Sequence, residues 1–134
     1  MKYNTILKIA SLLALVAVAF GAFGAHGLRD KIDAHSLEIW ETATHYQFYH
    51  VFALIATAIF IRNENTKLLQ MATRFFILGI ALFSGSLYLL AIKSLFIVDL
   101  FWLGPVTPIG GLCLMIAWLC LFLSFSKKNP ESQN

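Results

Sequence analysis

IASLLALVAVAFGAFGA, residues 9 to 25, holds no charged side chain. An α-helix needs about 20 mainly apolar residues to cross the hydrocarbon core of a bilayer. Here the apolar character reaches back to Ile6, and Lys8 is close enough to the end to snorkel. The stretch therefore predicts a membrane-spanning helix. The whole chain agrees with it. Of its 134 residues, 59% are hydrophobic and only 13% charged, with 12 Phe, where a soluble domain carries about 25% charged residues. The run follows Lys2 and Lys8 and ends in small residues, as a secretory signal does. It is longer than the usual signal core and more spans follow it, so the helix is expected to be retained.

Three further runs are long enough to cross. Phe75 to Ile92 and Pro105 to Phe125 are uncharged. Ala43 to Ile61 carries His45, Gln47 and His50 in its first half, but Val51 to Ile61 is apolar apart from Thr57. The expected fold is an all-α integral membrane protein with four transmembrane helices in an up-and-down bundle. It forms one domain over residues 1–126, with spans near 6–25, 43–61, 73–92 and 106–126 and a disordered polar tail at 127–134. RNENTK, residues 62 to 67, reads as a polar turn.

Positive charge sets the expected orientation. With both termini inside, Lys2, Lys8, Arg62, Lys67, Arg74, Lys127 and Lys128 lie inside and Arg29, Lys31 and Lys93 outside, seven against three. That fits the positive-inside rule for a multi-pass protein of the bacterial inner membrane with both termini cytoplasmic. The net charge of +3 is thereby assigned to topology, and no basic patch suggests nucleic acid. Cys113 and Cys120, seven apart on one helix, lie about 10 Å from each other, beyond disulfide reach.

The longest connection, residues 26 to 50, holds all four histidines. Asp33 is placed as an N-cap. From there Leu37, Trp40, Thr44 and Phe48 recur at helical spacing, with Glu38, Glu41, His45 and Tyr49 opposite. This predicts an interfacial amphipathic segment before the second span, with Trp40, Tyr46 and Tyr49 in the aromatic belt. KSLFIVDLFWLG, residues 93 to 104, reads as an interfacial or shallow re-entrant segment through Asp99 and Trp102. Thr107 is placed as N-cap of the fourth helix, with Pro108 at its first position.

Small residues spaced by four let membrane helices approach closely. Ala17, Gly21 and Ala25 have that spacing, as do Ala81 with Gly85 and Thr107 with Gly111. Gly21, Ala25, Gly85, Gly110 and Gly111 are therefore the expected packing positions. His26 has two readings. It is either a helix-end residue donating to a freed carbonyl while Gly27 closes the helix, or a member of a polar site with the start of the second span. The candidate polar site is His26, Glu41, His45, Tyr49 and His50 with Tyr88 of the third helix. Glu41 precedes His45 by four residues, so the pair suits proton transfer or an ordinary interfacial contact. His45 and His50 point about 140° apart on one helix, and no HExxH is present, so no metal or cofactor is expected. Ser84 is expected to bond to the carbonyl four residues back.

The pieces GAFGAHGL, WETATHYQFYH, FSGSLYLL and LGPVTPIGG occur in this order over nearly the whole chain. They resemble the YgdD/YwdK-like family of uncharacterised small membrane proteins. The matching positions are His26, Trp40, Thr42, Tyr46, Gln47, His50, Gly85, Pro108 and Gly110. The resemblance implies a four-span bacterial inner-membrane protein and carries no activity. Two functions stay open: a structural or accessory component working by helix contacts with itself or a larger membrane complex, with the lipid bilayer as its other partner, and a small transporter or proton-linked channel built on the His/Glu/Tyr cluster. An enzyme is the weakest reading, since no activated nucleophile, metal set or fixed acid/base pair is present.

Overall fold

The computed structural model describes residues 1–95 and 103–126. They form four long helices: α1 Tyr3–Phe23, α2 Ala34–Asn63, α3 Lys67–Ala91 and α4 Val106–Ser126. Successive helices pack as antiparallel neighbours. The first helix with its extension to Leu28, α3 and α4 are each long and apolar enough to cross a membrane. Polar residues in its first half keep α2 from reading as a span by composition alone. Of these residues Thr44, Gln47 and His50 turn inward against the neighbouring helices, whereas Glu38, Glu41 and His45 turn outward.

The interior is built from close helix contacts. Ala10, Ala17, Ala43, Ala58, Ala72 and Ala117 are fully enclosed, which brings backbones together where larger side chains would hold them apart. Ile6, Val51, Leu54 and Phe76 fill the main core, and Leu28, Trp40 and Tyr88 fill a second cluster at one end. Leu12, Leu15, Val18, Met115 and Phe122 point outward, each more than 60% exposed, as a lipid-facing surface requires.

One end gathers Met1, the α2–α3 turn and the end of α4. The Met1 ammonium bonds to the Gln70 side-chain oxygen, and the Gln70 amide donates to the Met1 carbonyl at 2.8 Å and to Asn65 at 2.7 Å. Arg62 lies over the Tyr3 ring, and Phe60 meets Phe125 edge-on at 4.8 Å. Thr66 caps α3 by accepting from the Leu69 N–H, so this helix starts at Lys67, six residues before the expected 73.

At the far end three expectations change. No separate amphipathic helix precedes the second span: α2 is one unbroken helix of 30 residues, about 45 Å long. Asp33 does cap it, its carboxylate accepting from the Ser36 N–H at 2.9 Å and from the Ser36 hydroxyl at 2.7 Å. Both bonds hold the Asp33 carboxyl below the usual carboxylate range. Gly27 does not close α1 in the left-handed conformation, since no described glycine has positive φ. Instead Gly24–Leu28 forms one π-helical turn, and a Cβ on Gly27 would lie 2.6 Å from the Phe23 ring, which occupies that space. Thr107 falls inside α4 rather than at its cap; its hydroxyl bonds to that of Ser86 at 2.7 Å. The expected re-entrant segment around Asp99 and Trp102, and the tail, lie outside the described residues.

Candidate functional site: a polar clamp and a histidine groove

The six residues of the expected polar site separate into two groups. His26, Glu41, His45 and Tyr49 are exposed, whereas His50 and Tyr88 are buried. His45 and Tyr49 stack loosely at 6.3 Å. The ion pair formed at this end joins His35 to Glu38 at 3.9 Å with both side chains about four-fifths exposed, rather than Glu41 to His45. At such exposure the pair contributes little. The reason for the split is rotation: the stripe of α2 that carries Glu41, His45 and Tyr49 faces away from the bundle. Among the described residues no three His, Cys, Asp or Glu side chains gather as a metal site would need.

The inward stripe of α2 is Ser36, Trp40, Thr44, Gln47, His50, Val51 and Leu54. Trp40, expected in the aromatic belt, is 3% exposed, and its indole N–H donates to the Phe20 carbonyl of α1 at 2.8 Å. Gly24 makes room for it: a Cβ there would sit 2.5 Å from the indole Cδ1. The Gln47 amide donates to the Leu13 carbonyl at 2.7 Å. The Tyr88 hydroxyl lies 3.0 Å from the Gln47 side-chain oxygen and 3.2 Å from the Thr44 hydroxyl, and Thr44 donates back to the Trp40 carbonyl. Phe20 and Trp40 close over the Tyr88 ring at 4.7 and 4.6 Å. Three helices are thus clamped by polar groups that satisfy one another. Such bonds inside a bilayer contribute roughly 0.6 kcal/mol each, up to about 1.7.

Gln47 was not placed in the candidate site, and Thr44, placed on the stripe of Leu37, Trp40 and Phe48, was given no polar role. The signal was present: the apolar half of α2 buries Val51, Leu54, Ala58 and Ile61. Continuing that stripe back by threes and fours reaches 47, 44 and 40. Tyr88 thus pairs with Gln47 and Thr44, not with a histidine.

α3 and α4 meet differently. A Cβ on Gly110 would lie 2.4 Å from the Phe83 backbone nitrogen, and one on Gly79 would lie 2.5 Å from the Leu114 side chain. Gly85, an expected packing position, has nothing within 4 Å of such a Cβ, Ala25 is exposed, and Gly21 and Gly111 make ordinary contacts with Thr44 and Phe83. Gly79 and Gly24 take the roles assigned to Gly85 and Ala25. Ser84 is buried with no hydrogen-bond partner among the described residues; Ser86, not Ser84, bonds back to a carbonyl, that of Phe83.

His50 occupies its own setting. Its Nδ1 lies 2.7 Å from the Tyr46 carbonyl, and its ring stands beside Phe76 and Trp118 at 6.0 and 6.2 Å. With Tyr46, Phe83, Gly111 and Trp118 it lines a groove of about 550 Å³ open toward the lipid.

The stretch that carries this clamp and the Gly110 contact coincides with a family model, "Protein of unknown function (DUF423)", which matches residues 20–111. The chain belongs to the DUF423 family. Its DUF423 stretch includes every clamp residue except Leu13. The chain is 40% identical over 102 residues to a UPF0382 membrane protein of Staphylococcus saprophyticus, covering 76% of this chain and 80% of that one. It is 36% identical to the UPF0382 membrane protein YwdK of Bacillus subtilis, over 76% and 80% of the two chains. With a UPF0382 membrane protein of Haemophilus influenzae it shares 36% identity over 94% of this chain and 98% of that one. No solved structure matches the chain. The protein is an all-helical membrane protein of a family without a described activity, as the resemblance of its four sequence pieces implied.

Proposed function

We propose that this protein is a structural or accessory component of the bacterial inner membrane, with both termini cytoplasmic, acting through helix contacts within the bilayer. One observation carries the reading: the intramembrane donors of Trp40, Gln47 and Tyr88 are spent on carbonyls and side chains of neighbouring helices. A conduit needs such groups turned toward a shared aqueous path, and His26, Glu41, His45 and Tyr49 instead stand on the outer surface. The orientation rests on the end that gathers Met1, Gln70 and Arg62, with Lys2, Lys67 and Arg74 nearby in sequence, as the positive-inside rule favours.

Photo-crosslinking from Leu12 and Leu15, both more than 60% exposed, tests the contact role in native membranes. A discrete crosslinked species is expected from one face, and its absence from every lipid-facing position sinks the proposal. In proteoliposomes no proton flux above empty vesicles is expected. A flux abolished by His45→Ala or Glu41→Ala in a correctly folded protein supports the channel instead. Cysteines placed at Asn65 and Arg29 report orientation: only Arg29→Cys should react with an impermeant reagent added outside.

A further inference from the structure

His50 lies 16 residues after Ala34 and 13 before Asn63 within α2, hence about 24 and 20 Å from its ends. It also lies near the middle of the expected span of residues 43–61, where an ionisable side chain is costly and marks function. Its Nδ1 faces the Tyr46 carbonyl. A carbonyl only accepts, so Nδ1 holds the ring proton and Nε2 of the neutral imidazole is a bare acceptor. Among the described residues nothing donates to it. The side chain is 7% exposed, and what it reaches is the groove of about 550 Å³, a volume in the range of small-molecule sites.

We infer that this groove binds a membrane-dissolved phenol or hydroquinone ring with an apolar tail, its hydroxyl donating to His50 Nε2. An acceptor in a dry place calls for a donor. The depth rejects charged headgroups, which stay at the interface, and admits a weakly polar hydroxyl. Tyr46, Phe83 and Trp118 line the groove, and aromatic walls favour a ring at offset or edge geometry. Met115 and Trp118 are 61% and 47% exposed, so entry is lateral, from lipid. Gly111 lines the slot beside the Phe83 ring, with room for a Cβ at an ordinary 3.7 Å, so a larger side chain there would project into it. The site stands apart from the accessory role.

The test is ¹⁵N-histidine NMR of the full chain in nanodiscs, titrated under nitrogen with decylubiquinol, the His50 signal being assigned by its loss in His50→Gln. Decylubiquinol is expected to move the Nε2 resonance saturably. Decylubiquinone, which has no donor, and decylbenzene, which has no oxygen, should bind about fivefold more weakly, the worth of one net hydrogen bond. Measured by equilibrium dialysis, His50→Gln retains an acceptor and most of the affinity, His50→Leu loses about fivefold, and Gly111→Leu fills the groove and removes binding. Equal affinity for decylbenzene overturns the inference, as does the absence of a saturable shift. A shift that follows protein-to-lipid ratio rather than decylubiquinol also overturns it, assigning the groove to a second copy of the chain.

Discussion

Two faces of α3 are held to their neighbours by opposite means. Toward α1 and α2, Tyr88 reaches side-chain oxygens of Thr44 and Gln47, and Trp40 lies across Gly24. Toward α4, Gly110 brings one backbone against another at Phe83. The first contact consists of side chains with rotamers to spare, and the second of main chain with none. The difference teaches that the same residue type, glycine, carries different risk depending on what stands opposite it.

Gly110→Ala is expected to have the largest effect, at or above the upper end of the roughly 1–3 kcal/mol typical of overpacking, because α3 and α4 must separate. Its measure is unfolding in mixed micelles, and no change at Phe83 should rescue it, since the obstacle is main chain. Gly24→Ala displaces the indole and its bond to Phe20, for about 1–3 kcal/mol. Here Trp40→Leu should absorb most of the added cost, so a double-mutant cycle breaks the comparison if both glycines behave alike. Tyr88→Phe keeps the ring contacts and leaves the Gln47 oxygen without its donor, for about 1 kcal/mol.

A smaller, local effect is expected at Asp33. Its carboxyl titrates below its ordinary value when folded, so the cap is present above the unfolded-state pKa and is lost as pH falls through the folded one. Amide exchange at Ser36 should quicken on acidification relative to the α2 interior, and Asp33→Asn should remove that pH dependence. Gly85→Ala should be the least disturbing, within about 0.5 kcal/mol, because its Cβ meets open space. A large loss there would mean that α3 has another packed face.

Much of the fold was legible in the sequence because bilayer physics is one-dimensional. Charge-free runs, the RNENTK turn and the Asp33 cap are set by composition and local hydrogen bonding along the chain. The site was less legible. The histidines drew the reading toward the polar face of α2, yet polarity alone does not say which way a helix turns when both lipid and neighbouring helices are apolar. Gln47 and Thr44 face inward because their donors and acceptors find partners only there.

The sequence by itself determined that the chain enters a membrane, where its apolar runs lie, and that Asp33 caps α2, since these depend on transfer from water and on neighbours a few residues away. Only the tertiary structure decided which glycines matter, which polar residues clamp the helices and that His50 opens on a groove. Those features follow from helix rotation and approach, which are fixed by packing between segments far apart in the chain.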